Sequence, residues 1–366
     1  MVWMYAGFCL LVVLLLALDL GVFHRKAHAV GVKEALGWSV FWIGLGLLFA
    51  GFIYLGYESH WLGLGLTPDM MTAAPRAVPG VGTVFNDGAS AAVKYLTGYL
   101  VEKSLAVDNI FVISMIFAFF AVPAIYQHRV LFWGILGALL MRGAMIAAGA
   151  RLIQEFSWII YVFGAFLILT GLKMLLIRSD LTDPNMNIVV RLTRRIFPVT
   201  ERFHGEHFFV RAGTAASHEA ETPGAAERPD RVVDAARAGA LLATPLFLAL
   251  VMIEFTDLIF AVDSIPAIFA VTADPFLVFT SNVFAILGLR SLYFALAGMI
   301  DRFQYLKVSL AVVLVVVGVK MMTHTWLKKL LGENFNFYLL GVVVLILAAG
   351  VAASLIKSRP PAAAAS

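Results

Sequence analysis

Apolar residues run along this chain in blocks of about twenty, separated by short charged or Pro- and Gly-bearing connections. The blocks fall at roughly 3–23, 36–56, 95–121, 130–151, 157–177, 243–271, 276–299, 307–326 and 335–356. A helix of about 20 apolar residues crosses a hydrocarbon core of about 30 Å, so the pattern predicts an all-α polytopic transmembrane helix bundle of about nine spans. Two N-terminal spans occupy 1–56 and an outer loop 57–94, where Trp61, Leu62, Leu64 and Leu66 alternate with glycines and prolines too often to span. A first three-helix unit covers 95–177, a cytoplasmic loop 178–240, a second unit 241–326, and a last span with its tail 327–366. The loop opens on Arg191, Arg194 and Arg195 and becomes Ala-, Glu-, Pro- and Gly-rich from Arg211 to Arg237, which predicts a disordered insert.

Composition agrees: 61% of the 366 residues are hydrophobic, 14% are charged, and mean hydropathy is +0.91. These values exclude a water-soluble fold. The net charge of +4 reads as topology rather than as nucleic-acid binding. His24-Arg25-Lys26, Lys33, Arg129, the 178–240 loop, Arg302, Lys307, Lys357 and Arg359 fall on one side, which predicts an outside N-terminus and a cytoplasmic C-terminus. Lys328-Lys329 is the exception. Cys9 is the only cysteine, so one chain can form neither a disulfide nor a thiolate metal site.

The chain repeats itself. Leu105-Ala106-Val107-Asp108-Asn109-Ile110 returns as Phe260-Ala261-Val262-Asp263-Ser264-Ile265, with an acid six residues before each aspartate, Glu102 and Asp257. Ala138-Leu139-Leu140-Met141-Arg142 is echoed by Ile286-Leu287-Gly288-Leu289-Arg290. The units are spans 3–5 and 6–8. Three spans is an odd number, so the second unit enters from the opposite side, as in the inverted repeats of secondary transporters.

Charge in hydrocarbon costs at least about 2.5–3.5 kcal/mol per group. Glu102, Asp108, Glu254, Asp257 and Asp263 place five acids on two related helices, and a cation compensates them most simply. Glu102 shares a helix face with Asn109, and Asp257 with Ser264, giving oxygen sets that suit hard divalent cations. Pro266 has no N–H for the Val262 carbonyl, which is thereby freed as a further ligand, in one repeat only. Arg142 and Arg290 read first as structural counter-charges and Asn282 as interhelical glue; Asp19 is an accessory acid near the end of the first span. His204-Gly205-Glu206-His207 lacks helical ligand spacing and reads as a solvated patch. No nucleophile elbow, phosphate-cradling loop, zinc-type His motif or CxxC is present, so no enzyme activity and no permanently bound cofactor are expected.

Asp19-Leu20-Gly21-Val22-Phe23-His24-Arg25-Lys26, Glu102-Lys103-Ser104-Leu105, Asp257 through Pro266 and Thr280 through Arg290 together resemble the TerC/Alx family of bacterial integral membrane proteins, from about residue 10 to 356. The alanine-rich stretch around 212–237 departs from that family, which has a short connection there. The resemblance implies a protein of the bacterial cytoplasmic membrane, related to the lysine-exporter superfamily, linked to tellurium resistance by name and to manganese export by function. The residues reach a hard divalent cation; manganese comes from the resemblance. The leading expectation is export of Mn2+ by alternating access around Asp108 and Asp263, with Glu102, Glu254 and Asp257 as further ligands or proton carriers. The alternative is an accessory protein that helps assemble or metallate others, meeting its partners through the 178–240 loop. A tellurium-oxyanion transporter fits the charges poorly, since five acids face two arginines.

Overall fold

Nearly every described residue between the connections is helical. The computed structural model describes residues 2–21, 31–72, 75–156, 158–176, 184–219, 229–296, 304–323, 326–327 and 335–357. In chain order the helices are α1 (Val2–Gly21), α2 (Val32–Glu58), α3 (Gly88–Phe119), α4 (Ala124–Glu155), α5 (Ile159–Leu176), α6 (Pro184–Ile196), α7 (Arg231–Ala235), α8 (Pro245–Phe269), α9 (Pro275–Ile286), α10 (Leu289–Leu296), α11 (Gln304–Met322) and α12 (Phe335–Lys357). Six stretches among the described residues are long and apolar enough to cross a membrane: α2, α4, α5, α8, Pro275–Leu296 and Asn336–Ser354. Shorter apolar helical stretches lie at Val2–Leu18 and Val308–Met322. Helix α3 has the length, but it carries Lys94, Glu102, Lys103 and Asp108 and is too charged to join them.

Outward-facing side chains such as Leu48, Leu140, Leu169 and Leu345 are large, apolar and exposed, as expected of helices that are hydrophobic all round. Start signals are local. Helix α3 begins at Gly88, before the apolar block it serves, because the Asp87 carboxylate accepts from Ser90 N at 2.8 Å. Helices α8 and α9 begin with Pro245 and Pro275, whose missing N–H costs nothing in a first turn.

Helix α3 packs on α8 and α9, α4 packs on α8, and α5 runs along α11. The α5–α11 contact brings backbones together: a Cβ on Gly318 would lie 2.8 Å from the Gly164 carbonyl oxygen, so only small residues permit it. Helix α2 covers α3 and α10, and α12 covers α11 and α3. An aromatic core fills the space between α1, α2 and α9, with the Phe49 and Phe284 ring centroids 4.5 Å apart.

One end of the bundle carries the 59–87 connection, with strands β1 (Arg76–Val78) and β2 (Gly82–Val84), and the 270–274 turn; it is called the loop end below. The opposite, insert end carries residues 197–244. The expectation of a disordered insert is corrected for the described residues. Strand β3 (Phe209–Arg211) pairs antiparallel with β4 (Leu241–Ala243), and Val210, Ala212, Val233 and Leu242 form a small apolar core. Asp230 caps α7 and receives the Arg202 amide at 3.0 Å. Apolar residues about thirty positions apart meet here, which composition alone does not reveal. Residues 220–228 of the insert lie outside the described residues.

Candidate functional site

The two acids that precede the repeated aspartates converge. Glu102 from α3 is fully buried and Asp257 from α8 nearly so, and the guanidinium of Arg142 on α4 lies between them. Arg142 Nε donates to Asp257 Oδ2 at 3.1 Å and Nη2 to Oδ1 at 2.8 Å, a two-pronged bond, while Nη1 pairs with Glu102 Oε1. Nη1 also stands 3.3 Å from Ser264 Oγ and 3.3 Å from Asn282 Oδ1. Asn109 Nδ2 donates to Asp257 Oδ1 at 3.2 Å. Four helices, α3, α4, α8 and α9, thus supply one polar cluster at the centre of the bundle.

The cluster is not fully satisfied. Glu102 Oε2 and Asn109 Oδ1 are buried acceptors with no donor, and Asn282 Nδ2 is a buried donor with no acceptor. Glu254, one turn before Asp257, presses its carboxylate against Gly137 of α4 and also leaves Oε2 buried without a partner. Buried polar groups are nearly always paired, so several such acceptors within two helical turns point to something that binds there. A cavity of about 20 Å3 beside Asn109 and Asp257, lined also by Ile253, Thr256, Gly134 and Leu289, has room for one water-sized guest on the insert-end side.

Asp108 and Asp263 stand elsewhere on the same helices. Six residues rotate a side chain about 120° from its predecessor. Asp263 Oδ1 accordingly meets Thr170 Oγ1 of α5 at 3.4 Å, and Asp108 is half-buried on α3. Among the described residues, no group of three or more His, Cys, Asp or Glu side chains is gathered closely enough to hold a metal ion. Val262 has an exposed side chain, Arg290 is buried on α10, and Asp19 falls where side chains lie outside the described residues. His204 is buried 3.4 Å from Asp230, and His207 pairs with Glu219 at 3.1 Å, both in the insert.

The Val262 carbonyl that Pro266 frees lies within a continuous helix, since α8 runs through Pro266 to Phe269. A break lies between α9 and α10, at Leu287 and Gly288. Gly288 has φ +80°, and a Cβ there would lie 2.5 Å from Trp42 Cβ, so no other residue fits without strain. The carbonyls of Ala285 and Leu287 accept from Lys103 Nζ at 3.0 and 3.2 Å. Lys103 therefore stabilises an unwound segment next to the cluster, and its place inside an apolar block was the one sequence signal for that role.

A second polar network, absent from the sequence reading, closes the loop end. Asp69 is fully buried and accepts from Lys94 Nζ at 2.8 Å, Thr272 Oγ1 at 2.6 Å, Asn86 Nδ2 at 3.1 Å, and the amides of Met71 and Ala273 at 2.9 Å each. Asp274 accepts from Tyr57 Oη at 2.9 Å and caps α9 through Phe276 N at 3.0 Å. Lys320, buried in α11, donates to the Ala270 carbonyl. Burial works to raise the Asp69 carboxyl, but the Lys94 ammonium and the hydrogen bonds from Thr272 and Ala273 outweigh it and hold it well below the usual carboxylate range.

Asp274 goes the other way. Burial, and then the charge of Asp69, push it up to about 6. A carboxyl raised in the fold binds its proton more tightly there than in the unfolded chain. Its contribution to stability is therefore complete below about 3.9 and is lost as pH rises through about 6. Asp274→Asn keeps the cap and removes the titration. The variant is expected to gain on the wild type in melting temperature between pH 5 and pH 8; a difference independent of pH would refute the assignment.

The family described as Integral membrane protein TerC family matches residues 87–361. An uncharacterized membrane protein of Myxococcus xanthus is 46% identical over 356 residues, covering 97% of this chain and 93% of its own. The Alx proteins of Salmonella typhi and Escherichia coli (strain K12), named as candidate membrane-bound redox modulators, are 45% and 44% identical over 347 residues, covering 93% of this chain and 93% of theirs. No solved structure matches.

Proposed function

This chain belongs to the TerC family of integral membrane proteins, and on that premise we propose that it exports a hard divalent cation, Mn2+ foremost, across the bacterial cytoplasmic membrane. The observation that carries the reading is the buried Glu102–Asp257 cluster, with its surplus of undonated oxygens and a water-sized cavity lined by Asn109 and Asp257 beside it. Carboxylate and amide oxygens suit Mg2+, Ca2+ and Mn2+. Asn109, Glu254 and the Val262 carbonyl complete the oxygen set, and Asp108 and Asp263 serve as the second pair of carboxylates, taking up the ion or a counter-transported proton as it leaves the centre.

The helix contacts support an inverted repeat of α3–α5 with α8–α11. Helix α3 lies on α9 as α4 lies on α8, while α3 with α8 and α5 with α11 pack as self-related pairs. That reciprocity is what exchange of two three-helix units requires, and two such units rocking about a central site would give alternating access. The basic residues orient the insert end and the C-terminus to the cytoplasm, with α1, α2 and α12 bringing the spans to nine.

Purified protein in liposomes tests the reading. Wild type is expected to drive Mn2+ movement down a proton gradient, and Asp108→Ala and Asp263→Ala are each expected to abolish it. A wild type without metal flux at any gradient refutes the proposal and favours the accessory role.

A further inference from the structure

We propose that Arg142 is a tethered cation that occupies the metal position of the Glu102–Asp257 site, and that a divalent cation enters only when the guanidinium swings away. The inference rests on the cation-export reading above.

Three observations carry it. The guanidinium lies where a shared cation would lie, between carboxylates from two helices, and is 3% exposed. It leaves the site incompletely served: Glu102 Oε2 and Asn109 Oδ1 remain buried acceptors with no donor, so the oxygen set is larger than the guanidinium can satisfy. A second berth is also built. Nη1 already donates to Ser264 Oγ and Asn282 Oδ1 at 3.3 Å each, on the loop-end side of the cluster and away from the cavity, so these two groups can keep the guanidinium when it leaves the carboxylates.

Charge and chemistry then fix how the exchange works. Two carboxylates and one guanidinium leave one negative charge; with a divalent cation between the carboxylates and the guanidinium moved onto Ser264 and Asn282, the cluster carries one positive charge. Arginine does not lose its proton in proteins, so it yields the site by moving and not by neutralising. A cation arriving through the cavity beside Asn109 and Asp257 would take over the carboxylate oxygens and leave Nη1 with Ser264 and Asn282 alone. When the cation leaves, the arginine returns and keeps the empty carboxylates from being stranded in the membrane. Metal and arginine are mutually exclusive occupants, so the empty carrier has a compensated centre in which to reorient.

A site occupied by its own side chain binds metal more weakly by the fraction of time it stands open. Mn2+ binding to the purified full chain in nanodiscs, read by equilibrium dialysis with the radioactive ion, is therefore expected to tighten about tenfold or more in Arg142→Met. Ser264→Ala/Asn282→Ala, which removes the second berth, is expected to weaken binding by about the same factor. An arginine with a merely structural role would give the opposite sign in the first variant. Should Arg142→Met not fold, Arg142→Lys serves: it keeps the charge, loses the two-pronged bond, and is expected to bind Mn2+ more tightly than wild type. Wild-type binding with equal or weaker binding in the arginine variants overturns the inference and leaves the export reading standing. Absence of both Mn2+ binding and flux in the wild type overturns the export reading itself.

Discussion

Asp257→Asn is expected to reduce Mn2+ efflux by roughly 100-fold or more, the upper end of what the loss of a metal-site partner costs. Asp257 joins two other helices of the cluster: it holds the Arg142 fork through both oxygens and accepts from Asn109. Asparagine keeps the volume but removes the charge that a divalent cation needs. It also turns one acceptor into a donor facing a guanidinium, so the two-pronged bond becomes one bond and a repulsion. Glu102 is then the only ionised partner of Arg142 in the cluster, and the cluster passes from a net negative charge to neutrality, which leaves no electrostatic pull for an incoming cation. Liposome flux measures the effect, and a melting temperature within a few degrees of the wild type shows that the loss lies in the site. Asp257→Glu, which restores the charge on a longer arm, is expected to recover part of the flux. Full activity in Asp257→Asn would remove the cluster from the transport path.

How much of this was legible in the sequence differs from residue to residue. The apolar blocks located the helices, and the repeat around Asp108 and Asp263 pointed to α3 and α8, the helices that carry Glu102 and Asp257. It did not say which face of them is central. Glu102 and Asp257 each stand about 120° around the helix from the repeated aspartate, so both face Arg142 of α4, while in α8 the repeated Asp263 turns toward Thr170 of α5. Only packing decides between them, and the packing partner is an arginine forty residues from one acid and more than a hundred from the other. Pro266 stands out in the sequence because a proline inside a helix leaves a carbonyl unbonded, yet α8 runs through it unbroken. Gly288, visible in the sequence only as one position of the repeat, adopts the left-handed conformation that ends α9. The insert misled through composition, because an Ala- and Glu-rich stretch reads as disordered unless its distant flanks are known to pair.

The loop-end network sets the two ends of the bundle apart. On the insert-end side the central cluster meets a cavity, whereas at the loop end Asp69, Lys94, Asn86, Thr272 and Asp274 form a buried, mutually bonded plug between the 59–87 connection and the α8–α9 turn. Under the export reading the sealed end is the side of release. Opening the seal means separating the connection from the turn, and the contacts that resist separation are nearly all directed at one carboxylate, Asp69.

Lys94→Met is accordingly expected to destabilise the protein by about 3–5 kcal/mol, the range for removing one partner of a buried ion pair. Lys94 and Asp69 are both 0% exposed and 2.8 Å apart, and Lys94 also donates to Thr72 Oγ1 at 2.9 Å. Methionine fills the space of the lysine stem but supplies no proton donor, so Asp69 keeps its negative charge with no cation beside it. Asn86 Oδ1 and Thr72 Oγ1 lose a donor in the same step. The penalty falls on the connection first, because the helices around it are held by their own apolar packing. Hydrogen exchange of residues 64–86 and 270–274 is expected to rise well before exchange in α4 or α8 does, with a fall in melting temperature in parallel. The double variant Asp69→Asn/Lys94→Met has no charge to strand and is expected to recover most of the loss, since the asparagine Oδ1 can still accept from the Met71 and Ala273 amides while its Nδ2 donates to the Thr272 hydroxyl. If the single and double variants are equally unstable, the pair is not what holds the loop end closed; if the single variant melts with the wild type, the lysine contributes nothing there.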